Sequence, residues 1–256
     1  MLTQADTEAF ERDGYFVLEG AIGGDLLTRL QSEAAVLAAS VPPDAERRIW
    51  HERALFRREA FRDLLDAASF IQGAETLQGP DVQLLALDLL LVRDGSDGIG
   101  WHRDVRFVCN KTLSVNSGIY LQDLTEEVGP LRVLPGSHRA EDPPGQGAAD
   151  SLPGEQTVHA KAGDAVFFDA GLLHAGGRNA SGRDRLAVFP YFGRYWVKRM
   201  DNYFTQPLPA DLAQTTDPMK RQLLGLDLRP GVASYHGDGE GYNRSRGEAG
   251  LDFPRD

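Results

Sequence analysis

Apolar positions through residues 1–80 recur mostly at helical intervals, and beyond Gly79-Pro80 they gather into short strand-like runs. Thr3 can cap a first helix that carries Ala5 and Phe10 on its apolar side, and Gly14 can end it. "YFVLEG" then reads as a short strand. Leu26, Leu27, Leu30, Ala34 and Leu37 mark one face of a second helix, stopped at Pro42-Pro43. Arg57–Leu77 holds one or two more helices. The run "VQLLALDLLLV" is nearly continuous, branched and short, which predicts a buried strand. "LSVNSGIYLQD", "LRVLPGSH", "DAVFFDAGLLH" and "DRLAVFPYFGRYW" follow, each bounded by Gly, Pro, Asn or Asp. Strands without helices between them predict an antiparallel sandwich or barrel. The expected class is therefore α+β: N-terminal helices packed on an eight-strand jelly-roll barrel. One domain over 1–256 is expected, helical to about 80, barrel over about 81–200, and a lid or tail over about 201–256.

Composition narrows the partners. The net charge of −11 repels nucleic acid and anionic membrane surfaces. No apolar run approaches the ~20 residues of a membrane helix, and the acidic, amphipathic start "MLTQADTEAFERDG" is unlike a signal peptide. Cys109 stands alone, so no internal disulfide can form, as expected of a cytoplasmic protein. The N-x-S/T triplets at Asn110, Asn179 and Asn243 then have no glycosylating compartment to act in. The expected partner is a small-molecule substrate, and the expected assembly a monomer or homodimer.

Candidate chemistry starts at "GWHRDVRF". In an extended segment His102 and Asp104 face the same way, so an imidazole and a carboxylate can share one cation. A lone H-x-D is weak, and a second one, His236-Gly237-Asp238, lies among glycines that leave the backbone too mobile to hold two ligands. A third donor strengthens the first. His174 closes the alternating run "KAGDAVFFDAGLLH" before a Gly-rich turn. Two histidines and one carboxylate on one face of an ion, with the other face open, form the facial triad of non-haem Fe(II) oxygenases. Arg185 follows on the returning strand, where its fork can hold the far end of a dicarboxylate. The plainer reading pairs Arg185 with a surface acid.

These segments resemble the phytanoyl-CoA dioxygenase superfamily of Fe(II)/2-oxoglutarate oxygenases. "LTQADTEAFERDGYFVLEGAI", "WHRD", "LQDLTEEVGPLRVLPGSHR" and "KAGDAVFFDAGLLHAGGRNASGRDR" are similar to four of its blocks, in its order. The resemblance implies a double-stranded β-helix, with His102, Asp104 and His174 as iron ligands. It also implies Arg185 as the clamp on the 2-oxoglutarate C5 carboxylate, with Asn116 facing that co-substrate. Fe(II), 2-oxoglutarate and O2 are the implied cofactor and co-substrates, and C–H hydroxylation with release of succinate and CO2 is the implied reaction. Two positions depart from the family: Arg103, where relatives more often carry Gln or Ser, and Gly176, where they often carry Ser. The Asp at 104 weighs against a halogenase.

Several residues are expected at the substrate: Arg103 and Arg106 against an anionic group, and Arg48, Trp50 and His51 in the pocket roof. His138 is expected in a supporting turn and His159 at the surface. Asp88, inside an apolar strand, needs a partner. Tyr191, Tyr195 and Trp196 are expected in core or pocket wall, and the tail with Tyr235 and His236 reads as a lid or a loose end. With four lysines in the chain there is no evident diphosphate-binding patch, which favours a small polar molecule or natural-product intermediate over an acyl-CoA. Two other readings stand beside the enzyme. One is a barrel that binds a small molecule without turnover; the other is a zinc hydrolase, for which no general base is evident.

Overall fold

A computed structural model describes residues 2–42, 44–105, 112–143, 145, 151–194, 196–197 and 207–226. Arg106, Tyr195, Tyr235, His236 and the tail from Gly237 lie outside the described residues.

Thr3 caps α1 (Gln4–Asp13) in a capping box: its hydroxyl accepts from the Asp6 N–H, and the Asp6 carboxylate accepts from the Thr3 N–H. Gly14, at φ +85°, ends the helix in the left-handed region, where glycine pays no steric penalty. The chain continues through β1 (Tyr15–Leu18), α2 (Gly24–Ala39), β2 (Arg48–His51), α3 (Ala54–Arg57), α4 (Glu59–Asp63) and α5 (Ala68–Gln78). The strand region holds β3 (Val82–Val92), β4 (Ile99–His102), β5 (Ser114–Tyr120), β6 (Leu131–Val133), β7 (Gln156–Val158), β8 (Ala165–Asp169), β9 (His174–Gly176) and β10 (Arg185–Arg194). Two short helices, α6 (Ala210–Ala213) and α7 (Pro218–Leu224), return to the helical layer. There Leu212, Leu223 and Leu224 join its core.

The strands form two antiparallel sheets: a six-stranded one ordered β1-β8-β5-β10-β3-β2 and a four-stranded one ordered β4-β9-β6-β7. This is the expected double-stranded β-helix topology, in the form of two facing sheets rather than one closed barrel; the eight strands β3–β10 fall in the expected barrel region, and β1 and β2 add to the larger sheet. The unforeseen β2 is an edge strand paired to Leu89–Val92 of β3. Its four residues have too little alternation to announce a strand, and only the neighbour's open edge makes one.

Alternation along the strands builds two cores. Phe167, Ile119, Val188 and Leu89 face α2, α4 and α5. Phe168, Tyr120, Ala187 and Leu131 face the opposite way, into the space between the sheets. Phe167 is stacked on Phe16 (ring centroids 5.3 Å apart, 4° between planes) and tilted against Phe70, which locks helices to sheet. No helix among the described residues is long and apolar enough to cross a membrane.

Candidate metal centre and its pocket

His102 ends β4 and pairs directly with His174, the first residue of β9. The pairing is irregular between Ile99 and His102, a shift of the kind that re-aims side chains next to functional sites. Both imidazoles therefore leave the small sheet side by side, ring centroids 4.2 Å apart and planes tilted by 52°. Asp104 lies two residues beyond the end of β4, yet its carboxylate reaches the same point. Its Oδ1 is 4.0 Å from His102 Nε2 and 3.9 Å from His174 Nε2. One donor atom from each of the three residues falls within 4.8 Å of the others.

The donor chemistry fits a metal ion. Each Nδ1 faces a main-chain carbonyl, His102 to Gly100 at 2.8 Å and His174 to Leu172 at 2.9 Å. A carbonyl only accepts, so each Nδ1 carries the proton and each Nε2 turns a lone pair toward the shared centre. Burial, with a smaller push from His102, outweighs the Asp104 carboxylate and holds His174 below the usual imidazole pKa, in the neutral form a metal requires. The Asn116 amide donates to Asp104 Oδ2 at 3.0 Å, which leaves Oδ1 as the oxygen aimed at the histidines.

The cluster opens into a cavity lined from both sheets. Asn116, Tyr120, Phe168, Arg185, Phe189 and Leu90 come from the large sheet, Ile99 and Leu131 from the small one, and Trp50 from edge strand β2. Arg185 is 4% exposed, its Nε has no hydrogen-bond partner, and no carboxylate of the described residues pairs with it. This disposes of the surface-pair reading. Burial pulls the guanidinium pKa down and pushes the neighbouring Tyr120 hydroxyl up to about 12, so the pair enters neutral solution as a cation beside a neutral phenol. A buried cation without a counter-ion is costly unless an anion arrives to meet it.

The other expected residues divide. Trp50 lines the cavity, 46% exposed, with its ring 5.5 Å from Phe189. His51 does not: strand alternation sends it to the opposite face, where it is buried and its Nε2 is unpartnered. Arg103 is also a correction. The alternation that turns His102 and Asp104 inward turns Arg103 away, and it is 5% exposed, donating to the carbonyls of Ser137 and Ala140 (2.6 Å to the latter). Asp88 accepts from the Arg53 N–H at 2.7 Å. His138 sits in the turn Ser137–Arg139, His159 is exposed beside Glu126, Tyr191 is buried and bonded to Ser114, and Trp196 is exposed. Sequence reasoning missed Tyr120, although Asn116 and Tyr120, four apart in one strand, share a face.

Two facing antiparallel sheets with a His-x-Asp and a distal His between them define a double-stranded β-helix protein with the ligand set of the non-haem iron oxygenases. The phytanoyl-CoA dioxygenase (PhyH) family model matches residues 10–187, and the chain belongs to that family. Among curated proteins, Rv1501 of Mycobacterium tuberculosis is 35% identical over 106 residues, 40% of this chain and 37% of that protein, so the match spans little more than a third of the relative's length. Among solved structures, HygX of Streptomyces hygroscopicus with nickel and 2-oxoglutarate bound matches with a TM-score of 0.69 at 18% identity, covering 78% of this chain and 90% of that one. SnoN, a non-haem α-ketoglutarate-dependent epimerase of nogalamycin biosynthesis, matches with a TM-score of 0.64 at 24% identity over 75% and 82%. At these identities the structural likeness concerns the fold.

Proposed function

We propose that the protein is an Fe(II)/2-oxoglutarate-dependent oxygenase that hydroxylates a C–H bond of a small molecule. The observation that carries this reading is the placement of two unlike features in one cavity: a His-Asp-His cluster whose imidazole nitrogens and carboxylate converge, and a buried guanidinium with no carboxylate partner among the described residues. A zinc hydrolase has no use for the second feature, and a simple binding barrel has no use for the first.

His102 Nε2, His174 Nε2 and Asp104 Oδ1 would hold the metal. When bound, Fe(II) with 2-oxoglutarate supplies O2 activation, one oxygen atom going to the substrate C–H bond and the other to succinate as CO2 leaves. The protein's part is placement. Gly100 and Leu172 carbonyls hold the imidazole rings in one tautomer, and Asn116 holds the carboxylate. Arg185 would meet the C5 carboxylate, with the Tyr120 hydroxyl beside it. Leu90, Leu131, Phe168 and Phe189 exclude water from the reacting end, and Trp50 stands at the substrate's side.

The test is anaerobic titration of the protein with Fe(II) and then 2-oxoglutarate, followed by the weak visible absorption of a chelated 2-oxo acid. The band is expected in the wild type, absent in His174→Ala, and shifted to much higher 2-oxoglutarate in Arg185→Ala. A wild type that binds Fe(II) but gives no band, and no O2-dependent succinate, would leave the binding barrel as the reading.

A further inference from the structure

The ladder that positions His102 stops at His102 itself. Asp104 therefore sits outside any strand, on a segment that β-pairing does not hold, yet it must meet two histidines on a different pair of strands. Two main tethers flank it. On one side the Val105 N–H donates to the Ala170 carbonyl at 2.9 Å. On the other, the Arg103 guanidinium donates to the Ser137 and Ala140 carbonyls.

The turn that receives Arg103 also reaches the distal ligand. Ser137 Oγ accepts from the Leu173 N–H at 2.8 Å, one residue before His174, and the Leu134 N–H donates to the Leu173 carbonyl at 2.9 Å. Ser137 thus bonds through its carbonyl to the residue between the first two ligands, and through its hydroxyl to the residue before the third. The turn is itself anchored by the Gly136 N–H on the Asp13 carbonyl at 2.9 Å. Burying a guanidinium here is expensive: its Nε is unpartnered, and the nearest compensating charges are those of Asp142 and Asp169.

We infer that Arg103 and Ser137 form a positioning clamp that sets the distance between the His-x-Asp segment and the distal histidine, with Arg103 acting on the metal site from behind rather than on the substrate. The inference rests on the metal-centre reading above. Charge-assisted bonds to two carbonyls fix the direction of the Arg103 side chain, and because Arg103 is the residue next to Asp104, they limit where the Asp104 carboxylate can lie. Loss of such outer contacts typically lowers metal affinity about 10- to 100-fold.

The experiment uses Co(II) as a spectroscopic probe of the full-length protein, without co-substrate or turnover. Wild type, Arg103→Lys, Arg103→Gln and Ser137→Ala are titrated with Co(II). The visible bands, the dissociation constant and the melting temperature with and without metal are recorded. Arg103→Gln is expected to weaken Co(II) binding about 10-fold or more, alter the band shape and shrink the metal-induced rise in melting temperature. Arg103→Lys should recover part of the affinity. Ser137→Ala should weaken binding in the same direction, and a variant combining Arg103→Gln with Ser137→Ala should fall short of the sum, as coupled contacts do. Arg62→Gln, which loses the ion pair to Asp211 between α4 and α6 in the helical layer, should change the melting temperature at most and leave the bands unchanged. If the Arg103 variants lose melting temperature alone and bind Co(II) like the wild type, the clamp is merely structural and the inference falls. Should Arg103→Gln fail to fold, Ser137→Ala decides in the same way. A wild type that binds no Co(II) overturns the metal-centre reading and this inference together.

Discussion

Arg185 and Arg103 are both guanidiniums removed from water, and what surrounds each separates their roles. Both leave Nε without a partner, but Arg103 donates through Nη2 to two main-chain carbonyls, whereas Arg185 lines the cavity with no carboxylate of the described residues paired to it. Arg185 therefore lowers the stability of the ligand-free protein, and its benefit appears when an anion binds. Arg185→Met, similar in length and apolar, is expected to leave the melting temperature of the ligand-free protein unchanged or raised, because a buried, uncompensated charge is removed. The same variant should weaken 2-oxoglutarate binding by roughly 30-fold or more, the scale of losing about 2 kcal/mol from a buried charge pair. Differential scanning fluorimetry and anaerobic titration read the two effects separately. A structural arginine would show the reverse, a lower melting temperature with binding intact. The three residues that converge in the cavity were legible from the chain, because H-x-D with a histidine at a strand end is a spacing that metal chemistry uses. Arg103 and His51 were not, because composition nominates a charged or aromatic residue without saying which face of its strand it occupies.

At the scale of elements, the end of α1 and the turn Ser137–Arg139 are held against each other by glycine. A Cβ at Gly14 would lie 2.5 Å from His138 Nδ1 and 2.9 Å from Leu172 Cδ1, and the residue is at φ +85°. Gly14→Ala then combines left-handed strain with a clash against groups that belong to the turn and to the approach to His174. A loss of about 2 kcal/mol or more is expected, read as a lower midpoint in urea at unchanged slope. Because the Asp169 N–H also donates to the Gly14 carbonyl at 2.8 Å, the cost should fall on the helix–sheet junction. The sequence marked Gly14 as a helix end from its place after an amphipathic run, but its close approach to His138, 124 positions along the chain by the numbering, could not be read there. The long strands were legible for the opposite reason. Val82–Val92 and Ala165–Asp169 carry their own burial pattern, while β2, β4 and β7 have only three or four residues and exist because a neighbour offers its edge.

For the molecule as a whole, buried histidines tie stability to acidity. Burial, aided by Arg57, lowers the pKa of His51, and burial outweighs the Asp169 carboxylate to lower that of His138. His174 joins them in the metal-free protein. Below the unfolded value of ~6.5 the unfolded chain takes up protons that the folded chain refuses, so acidification favours unfolding. The stability these groups supply is full above pH ~6.5 and is lost as the pH falls toward their lowered folded values. Urea midpoints of the metal-free protein should therefore be lower at about pH 5.5 than at about pH 7.5, and His51→Gln should shrink the difference. A midpoint that rises on acidification would mean that these imidazoles are protonated in the folded state.

What the sequence determined by itself was local: helical and strand periods, caps and breaks, the spacing of His102 and Asp104, and the four ordered blocks that mark the family. Those features depend on interactions within a few residues, or on patterns repeated along one element. The tertiary structure alone decided which side chains converge. It brought His174 to His102 by pairing β9 with β4, emptied the surroundings of Arg185, and turned Arg103 to Ser137 instead of the cavity. The reason is geometric. A strand reverses its facing at each residue, and whether a face meets a cavity, a helix or a turn is set by segments distant in the chain.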